Sequence, residues 1–331
     1  MSQTNYRGLE FDLPTELIAQ SPAVPRDSAK LLVYDRGQQS ITHDIFSNIA
    51  AYLQPETSLV MNNTKVDHCR WLFDENKIEI FVLEKLDDHR VVAMVRPGKR
   101  FKLGQTTQLT ESISARTLAI NEDGHRTLEL SLPHDHPELL AHEHVPLPPY
   151  ITQNDELAEE YQTVYAKHSG SKAAPTAGLH FTKDLLAEIG ESNELIELEL
   201  EVGLGTFAPL TDENFESQTL HKERYNVDAS AAKSLNQSRH ITAVGTTSLR
   251  TLESITFDGS AKFGDTDIFI MPGYEFRNVD SLITNFHLPG TSLLLLVEAF
   301  IGDRAETERI YQEAISRSYR FYSFGDAMLI L

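Results

Sequence analysis

A single cysteine, Cys69, occurs in 331 residues. One thiol excludes an intramolecular disulfide and any zinc site built wholly from cysteines. Positive charge is also scarce: 29 Lys and Arg stand against 49 Asp and Glu, for a formal net charge of −20. Such a chain is no general nucleic-acid coat. A local basic patch can still hold RNA, because the field near it is set by charges within about 10 Å. No apolar run approaches the roughly 20 residues of a membrane span. The most apolar stretch, Leu293–Val297 with Ala299–Ile301, is interrupted by Glu298. The N-terminus MSQTNYRGLEFDLPTEL has no apolar h-region. No secretory leader is therefore expected, and the setting expected is the reducing cytoplasm. The named nucleotide and hydrolase motifs are missing as well. GLGTF carries the first two glycines of a dinucleotide fingerprint without the third, and GxxxxGK[ST], HExxH and GxSxG do not occur.

What remains is a chain long enough for about two domains, with 40% hydrophobic residues. Pro14 followed by Glu16, Leu17 and Ile18 predicts a helix that the prolines of SPAVPRDSAK break. Leu31–Tyr34 and Leu59–Met61 read as short strands. From Lys65 to Tyr150 short strands recur between turns: Lys77–Leu83, Arg90–Val95 and Leu128–Leu132, with turns at Asp87-Asp88, Pro97-Gly98, Gly104 and Asn121–Gly124. That spacing predicts a small β-barrel or sandwich. Pro146, Pro148 and Pro149 form a stiff exit. Helix-like and strand-like segments then alternate to the end. The expected fold is α/β: a discontinuous domain of residues 1–64 and 151–331, with an inserted β-barrel at 65–150. Asp184–Glu201 holds seven acids and no base. Its alternating end puts Glu197, Glu199 and Glu201 on one strand face, which repels phosphate unless cations cover it.

Four glycine- and threonine-rich loops stand out: Ala174–Phe181, Val202–Phe207, Val244–Arg250 and Asn285–Ser292. Each adjoins an apolar strand. Thr182 is placed to cap the helix starting at Lys183, and Thr246 or Thr247 the helix carrying Arg250. Free N–H groups at helix N-termini attract carboxylate or phosphate. Any one loop is ordinary turn chemistry; four within about 120 residues predict a ligand crevice at strand ends. His180 and His287 sit in such loops, each either a general base or a core imidazole bonded to backbone. His134, His136, His142 and His144 read as a solvated loop before a zinc site, and no metal is expected. Arg96-Pro97-Gly98-Lys99-Arg100-Phe101-Lys102 places four cations and an aromatic at one turn, and Arg317, Arg320, Phe321 and Tyr322 form a second group. Cations hold phosphate and aromatics stack unpaired bases.

Taken together, FDLP with LIAQ, NNT, LPPYI, YQTVY, AAPTAGLHF, VGLGTF, VGTTSLRTLES, DIFIMPGYEF, TNFHLPGTS and YRFYSFGDAMLI resemble the S-adenosylmethionine:tRNA ribosyltransferase-isomerase family of queuosine synthesis. They run in family order over nearly the whole chain. The resemblance implies an α/β domain with an inserted β-barrel. It also implies transfer and isomerisation of the S-adenosylmethionine ribosyl group onto 7-aminomethyl-7-deazaguanine in tRNA, giving epoxyqueuosine, adenine and methionine. S-adenosylmethionine and tRNA are then the partners of a monomer, with no cofactor beyond that substrate. A sulfonium acidifies its adjacent C5′ protons, so one general base can start loss of adenine. On this chemistry His180 is expected as base or proton donor, with His287 and Asp326 as further reacting groups. Arg250 with Thr246 and Thr247 is expected to anchor a carboxylate or ribose. Thr176, Gly178, Gly203, Gly205, Thr206, Gly245 and Asn285 are expected to line the substrate site. Arg320 and Tyr322 are expected beside Asp326, and Arg96, Lys99, Arg100 and Lys102 on tRNA phosphates.

The chain departs from the expected family pattern at Glu201 and Gln218, where histidines are usual, at Gln153 and Glu160, where arginines are, and at Lys65–Cys69. These changes remove positive charge. They motivate two other readings, ribosyl transfer to a free base or nucleoside and a non-catalytic S-adenosylmethionine or RNA binder.

Overall fold

A computed structural model describes residues 8–152, 154–203, 205 and 210–331. The chain folds as two compact units, Met1–Lys65 with Pro148–Leu331, and Val66–Leu147.

The discontinuous unit is built on one nine-stranded mixed sheet. Its spatial order is Lys262–Ile268, Thr219–Val227, Glu194–Leu200, Ser58–Asn62, Ile241–Val244, Ser281–Asn285, Ala327–Ile330, Lys30–Asp35 and Ser40–Ile45. Four neighbours from Glu194–Leu200 to Ser281–Asn285 run parallel. The central strands are buried on both faces and so read as unbroken apolar runs. Successive side chains split between two cores. Leu31, Val33, Leu59, Met61, Ile283 and Leu329 face the segment Phe46–Tyr52 and the helix Lys183–Gly190. Leu32, Tyr34, Val60, Leu282, Met328 and Ile330 face the helices Ala229–Gln237, Gly245–Ser254, Ser292–Ile301 and Arg304–Ser316.

Thr182 caps the helix Lys183–Gly190: its Oγ1 accepts from the Leu185 N–H at 3.1 Å and donates to Asp27 at 3.3 Å. Thr182→Ala is expected to cost about 1 kcal/mol, read as a lower urea midpoint.

Two local expectations are corrected. The helix at Pro14–Ile18 is one 3-10 turn, Thr15–Leu17. It stops where the Leu17 carbonyl accepts from the Phe321 N–H and the Ala19 N–H donates to the Phe321 carbonyl, which takes both groups out of a continuing helix. The helix Gly245–Ser254 has no threonine cap. Val244 occupies the cap position without a side-chain bond, and Gly245 turns the strand into the helix at φ +85°, a conformation glycine alone adopts cheaply.

The second unit holds a seven-stranded sheet, every pairing antiparallel. Its order is Glu143–His144, Arg70–Phe73, Ile78–Lys85, Arg90–Arg96, Arg126–Leu130, Ser114–Ile120 and Thr106–Gln108. Alternation places Val91 and Ala93, Ile78 and Ile80, and Leu128 and Leu130 inside with Trp71, Phe73 and Phe101.

Candidate active site

Four separate loops meet at one cavity of about 330 Å³ in the discontinuous unit. Ala173–Ala177 form one wall and Val202 another; Gly245–Thr247 and Thr284–Leu293 supply the rest, with Pro149, Tyr150, Tyr322 and Ser323 closing it. The parallel strands Glu194–Leu200, Ile241–Val244 and Ser281–Asn285 end there. Carboxyl ends of parallel strands are where open α/β sheets bind ligands. Two ten-residue helices, Gly245–Ser254 and Ser292–Ile301, begin at the cavity, so their unpaired N–H groups and positive dipole ends face it. Tyr150 and Tyr322 stack at 3.9 Å between ring centroids, and the Tyr150 hydroxyl bonds Ser323 Oγ at 2.5 Å.

Of the residues expected from sequence, Thr176, Gly245, Thr246, Thr247, Asn285, His287 and Tyr322 line this cavity. His180 does not. It is buried behind the wall, its Nε2 at 3.2 Å from Asn285 Nδ2, and Asn285 Oδ1 accepts from the Thr176 hydroxyl at 2.9 Å. Gly178 is also buried behind the wall, where a Cβ would overlap the Tyr165 hydroxyl. Thr206 lies outside the described residues, as does Gln153.

Asp326 and Arg320 are placed apart from the expected role. The Asp326 carboxylate is 2% exposed and accepts from the Lys30 N–H at 3.0 Å, the Arg320 N–H at 2.8 Å and Arg320 Nη2 at 3.3 Å. It clasps the loop that carries Tyr322 and Ser323 to the cavity. Arg250 is not a free anchor. Its guanidinium is buried against Glu223, and Glu223 Oε1 accepts from the Gly203 N–H at 3.0 Å. This pair lies at a small cavity of about 20 Å³ with Gly205 and His221, which shares Ser292 and Leu293 with the first.

The basic turn of the insert is less open than its sequence suggests. Phe101 is fully buried and unavailable for stacking. Arg96 reaches Glu79 at 2.8 Å and Arg100 lies 3.7 Å from Asp74, while Lys99 and Lys102 are exposed. The acidic strand is partly covered: Lys167 holds Glu197 at 2.6 Å, and Arg224 lies 4.0 Å from Glu201. Glu160 pairs with Arg26 at 2.7 Å. Among the described residues, no three His, Cys, Asp or Glu side chains gather as metal ligands, and no helix is long and apolar enough to cross a membrane.

Burial lowers His287 from its ordinary 6.5 to about 4. Burial, with the Arg320 and Arg26 charges, lowers His180 to about 3. Both rings are neutral at pH 7, and both take up a proton on unfolding between about 6.5 and their folded values of about 4 and about 3. Their contribution to stability is complete above about pH 6.5 and shrinks as the pH falls toward 3–4. An unfolding free energy from urea titrations that drops by several kcal/mol across this window is expected. Burial also raises Tyr322 to about 12 and pushes Tyr150 up strongly. No acid, lysine or arginine lines the cavity among the described residues. His287 is thus the one group there that can accept a proton at neutral pH.

Sequence reasoning passed over Tyr150, Ser323 and Glu223 as site residues. The stiff Pro148-Pro149 lead into Tyr150, and the place of Ser323 inside YRFYSFGD, were the available signals.

A two-faced α/β sheet with a pocket at its strand ends is the arrangement in which open α/β proteins bind small ligands. The family model described as "Queuosine biosynthesis protein" matches residues 6–330. A relative from Desulfitobacterium hafniense, named S-adenosylmethionine:tRNA ribosyltransferase-isomerase, is 44% identical over 97% of this chain and 98% of its own. A relative of the same name from Thermotoga petrophila is 45% identical over the same shares. The crystal structure of S-adenosylmethionine tRNA ribosyltransferase from Thermotoga maritima is 36% identical, with TM-score 0.56, covering 97% of this chain and 99% of that one. The chain belongs to the queuosine biosynthesis protein family.

Proposed function

We propose that the protein transfers and isomerises the ribosyl part of S-adenosylmethionine onto 7-aminomethyl-7-deazaguanine in tRNA, giving epoxyqueuosine with release of adenine and methionine, and that the strand-end cavity is where this occurs. The observation that carries the reading is the meeting of four distant loops at one cavity of about 330 Å³, a volume within the range of small-molecule sites. Relatives of that name match this chain along nearly its full length, and nothing in the comparisons favours a free base as acceptor.

The helix N-termini at Gly245–Thr247 and Thr291–Leu293 suit the amino-acid carboxylate of the substrate. The Tyr150–Tyr322 stack offers a ring face to a purine. His287, which lines the cavity, is read as the group that takes the C5′ proton. Its neutral ring adds no second positive charge beside the sulfonium, where like charges would repel. Lys99 and Lys102, with Arg96 and Arg100, are the insert's points for RNA phosphate. The insert sheet is read as a curled, incomplete barrel. The chemistry asks for no metal and no further cofactor, and the enzyme is read as a monomer acting in the cytoplasm.

The test is adenine release from S-adenosylmethionine with three acceptors: tRNA carrying the aminomethyl base, tRNA lacking it, and the free base. Release with the first alone is expected. Release with the free base alone overturns the tRNA assignment, and binding without release overturns the enzymatic one.

A further inference from the structure

We propose that His180 is a positioning residue, acting through Asn285 to hold Thr176 as a hydrogen-bond acceptor on the cavity wall, rather than the group that takes the substrate proton. The inference rests on the reading that the cavity binds S-adenosylmethionine. Thr176 and Asn285 line the cavity and His180 does not. His180 and Asn285 are 4% and 2% exposed, so neither can trade its partner for water.

The contacts suit one direction. Asn285 Nδ2 lies 3.2 Å from His180 Nε2 and donates to it in the tautomer that leaves Nε2 unprotonated. With its donor end committed to His180, the amide turns its oxygen to Thr176, which donates its single proton at 2.9 Å. The Thr176 hydroxyl then offers only lone pairs to the cavity. The ligand group it suits is a donor, an O–H or N–H of the bound S-adenosylmethionine. A proton on Nε2, whether in the other neutral tautomer or in the charged ring, would reverse the amide and turn Thr176 into a donor. The burial that keeps the ring neutral, together with Arg320 and Arg26, works against a charged ring.

Four variants test this: His180→Ala, His180→Gln, Thr176→Val and the double variant of His180→Ala with Thr176→Val, read by S-adenosylmethionine affinity and by kcat and KM separately. Circular dichroism checks that each is folded. His180→Ala leaves a buried amide donor unpaired and is expected to weaken S-adenosylmethionine binding and raise KM about tenfold, with kcat changed by no more than about threefold. His180→Gln presents a carbonyl oxygen near the Nε2 position and is expected to recover most of the loss. Thr176→Val is expected to match His180→Ala, and the double variant to be no worse than Thr176→Val alone, as for two residues acting in series. A Gln variant as inactive as Ala, with the loss in kcat, overturns the inference and makes His180 a proton carrier. Unchanged S-adenosylmethionine affinity in Thr176→Val also overturns the inference, whereas S-adenosylmethionine seated outside the cavity in a bound structure overturns the cavity assignment, which separates the two failures. The Gln and Val variants keep the test decisive if His180→Ala does not fold.

Discussion

Replacing His287 with alanine is expected to cut kcat by about two to four orders of magnitude, the usual contribution of a placed general base. The ring lines the cavity, its Nε2 lies 2.9 Å from the Thr284 hydroxyl, and the His287 backbone N–H is held by the Tyr311 hydroxyl at 3.3 Å. The backbone anchor survives the substitution, so S-adenosylmethionine binding is expected to change far less than turnover. His287→Gln keeps much of the shape and the bond to Thr284 but cannot take a proton at neutral pH. It is expected to be as slow as the alanine variant, the opposite of the recovery expected at His180. The check is single-turnover adenine release; a rate within about tenfold of the parent would remove His287 from the proton step.

Glu223→Ala is expected to be the most damaging single change to stability, at about 3–5 kcal/mol. Glu223 and Arg250 have side chains 3% and 7% exposed. Removing the carboxylate leaves a buried guanidinium without its counter-charge, and Arg250 Nε and Nη2 already lack partners among the described residues. The same change strips the Gly203 N–H of its acceptor, next to Val202 on the cavity wall. The measurement is the urea midpoint, and a loss below about 1 kcal/mol would place the pair among weak surface bridges.

Much of the architecture was legible because it follows from period and punctuation. Short apolar runs such as Leu31–Tyr34 and Leu59–Met61 stood out as the chain's buried segments, and the alternation of helix-like and strand-like segments after Tyr150 announced α/β layering. The cavity-lining loops were legible because Gly, Thr and Pro gather where strands end. The pairing of Arg250 was not legible, for the opposite reason. An arginine one turn into a helix looks free in sequence, and its pairing with Glu223 exists only in three dimensions. Phe101 was misjudged likewise: beside four cations it looks like a stacking platform, yet the insert's own core needs it. His180 sits in the same kind of loop as His287, and local sequence does not say which ring reaches the cavity. That is decided by the side chains behind each, Asn285 for one and Thr284 for the other.

A structure determined with S-adenosylmethionine bound tests the central claim most directly. The expected result is the sulfonium nucleoside inside the cavity between Thr176, Thr246, His287 and Thr291, with its C5′ carbon within reach of the His287 ring. Ligand seated elsewhere, for example in the acid-lined groove beside Glu199, Glu201 and Phe263, would contradict it.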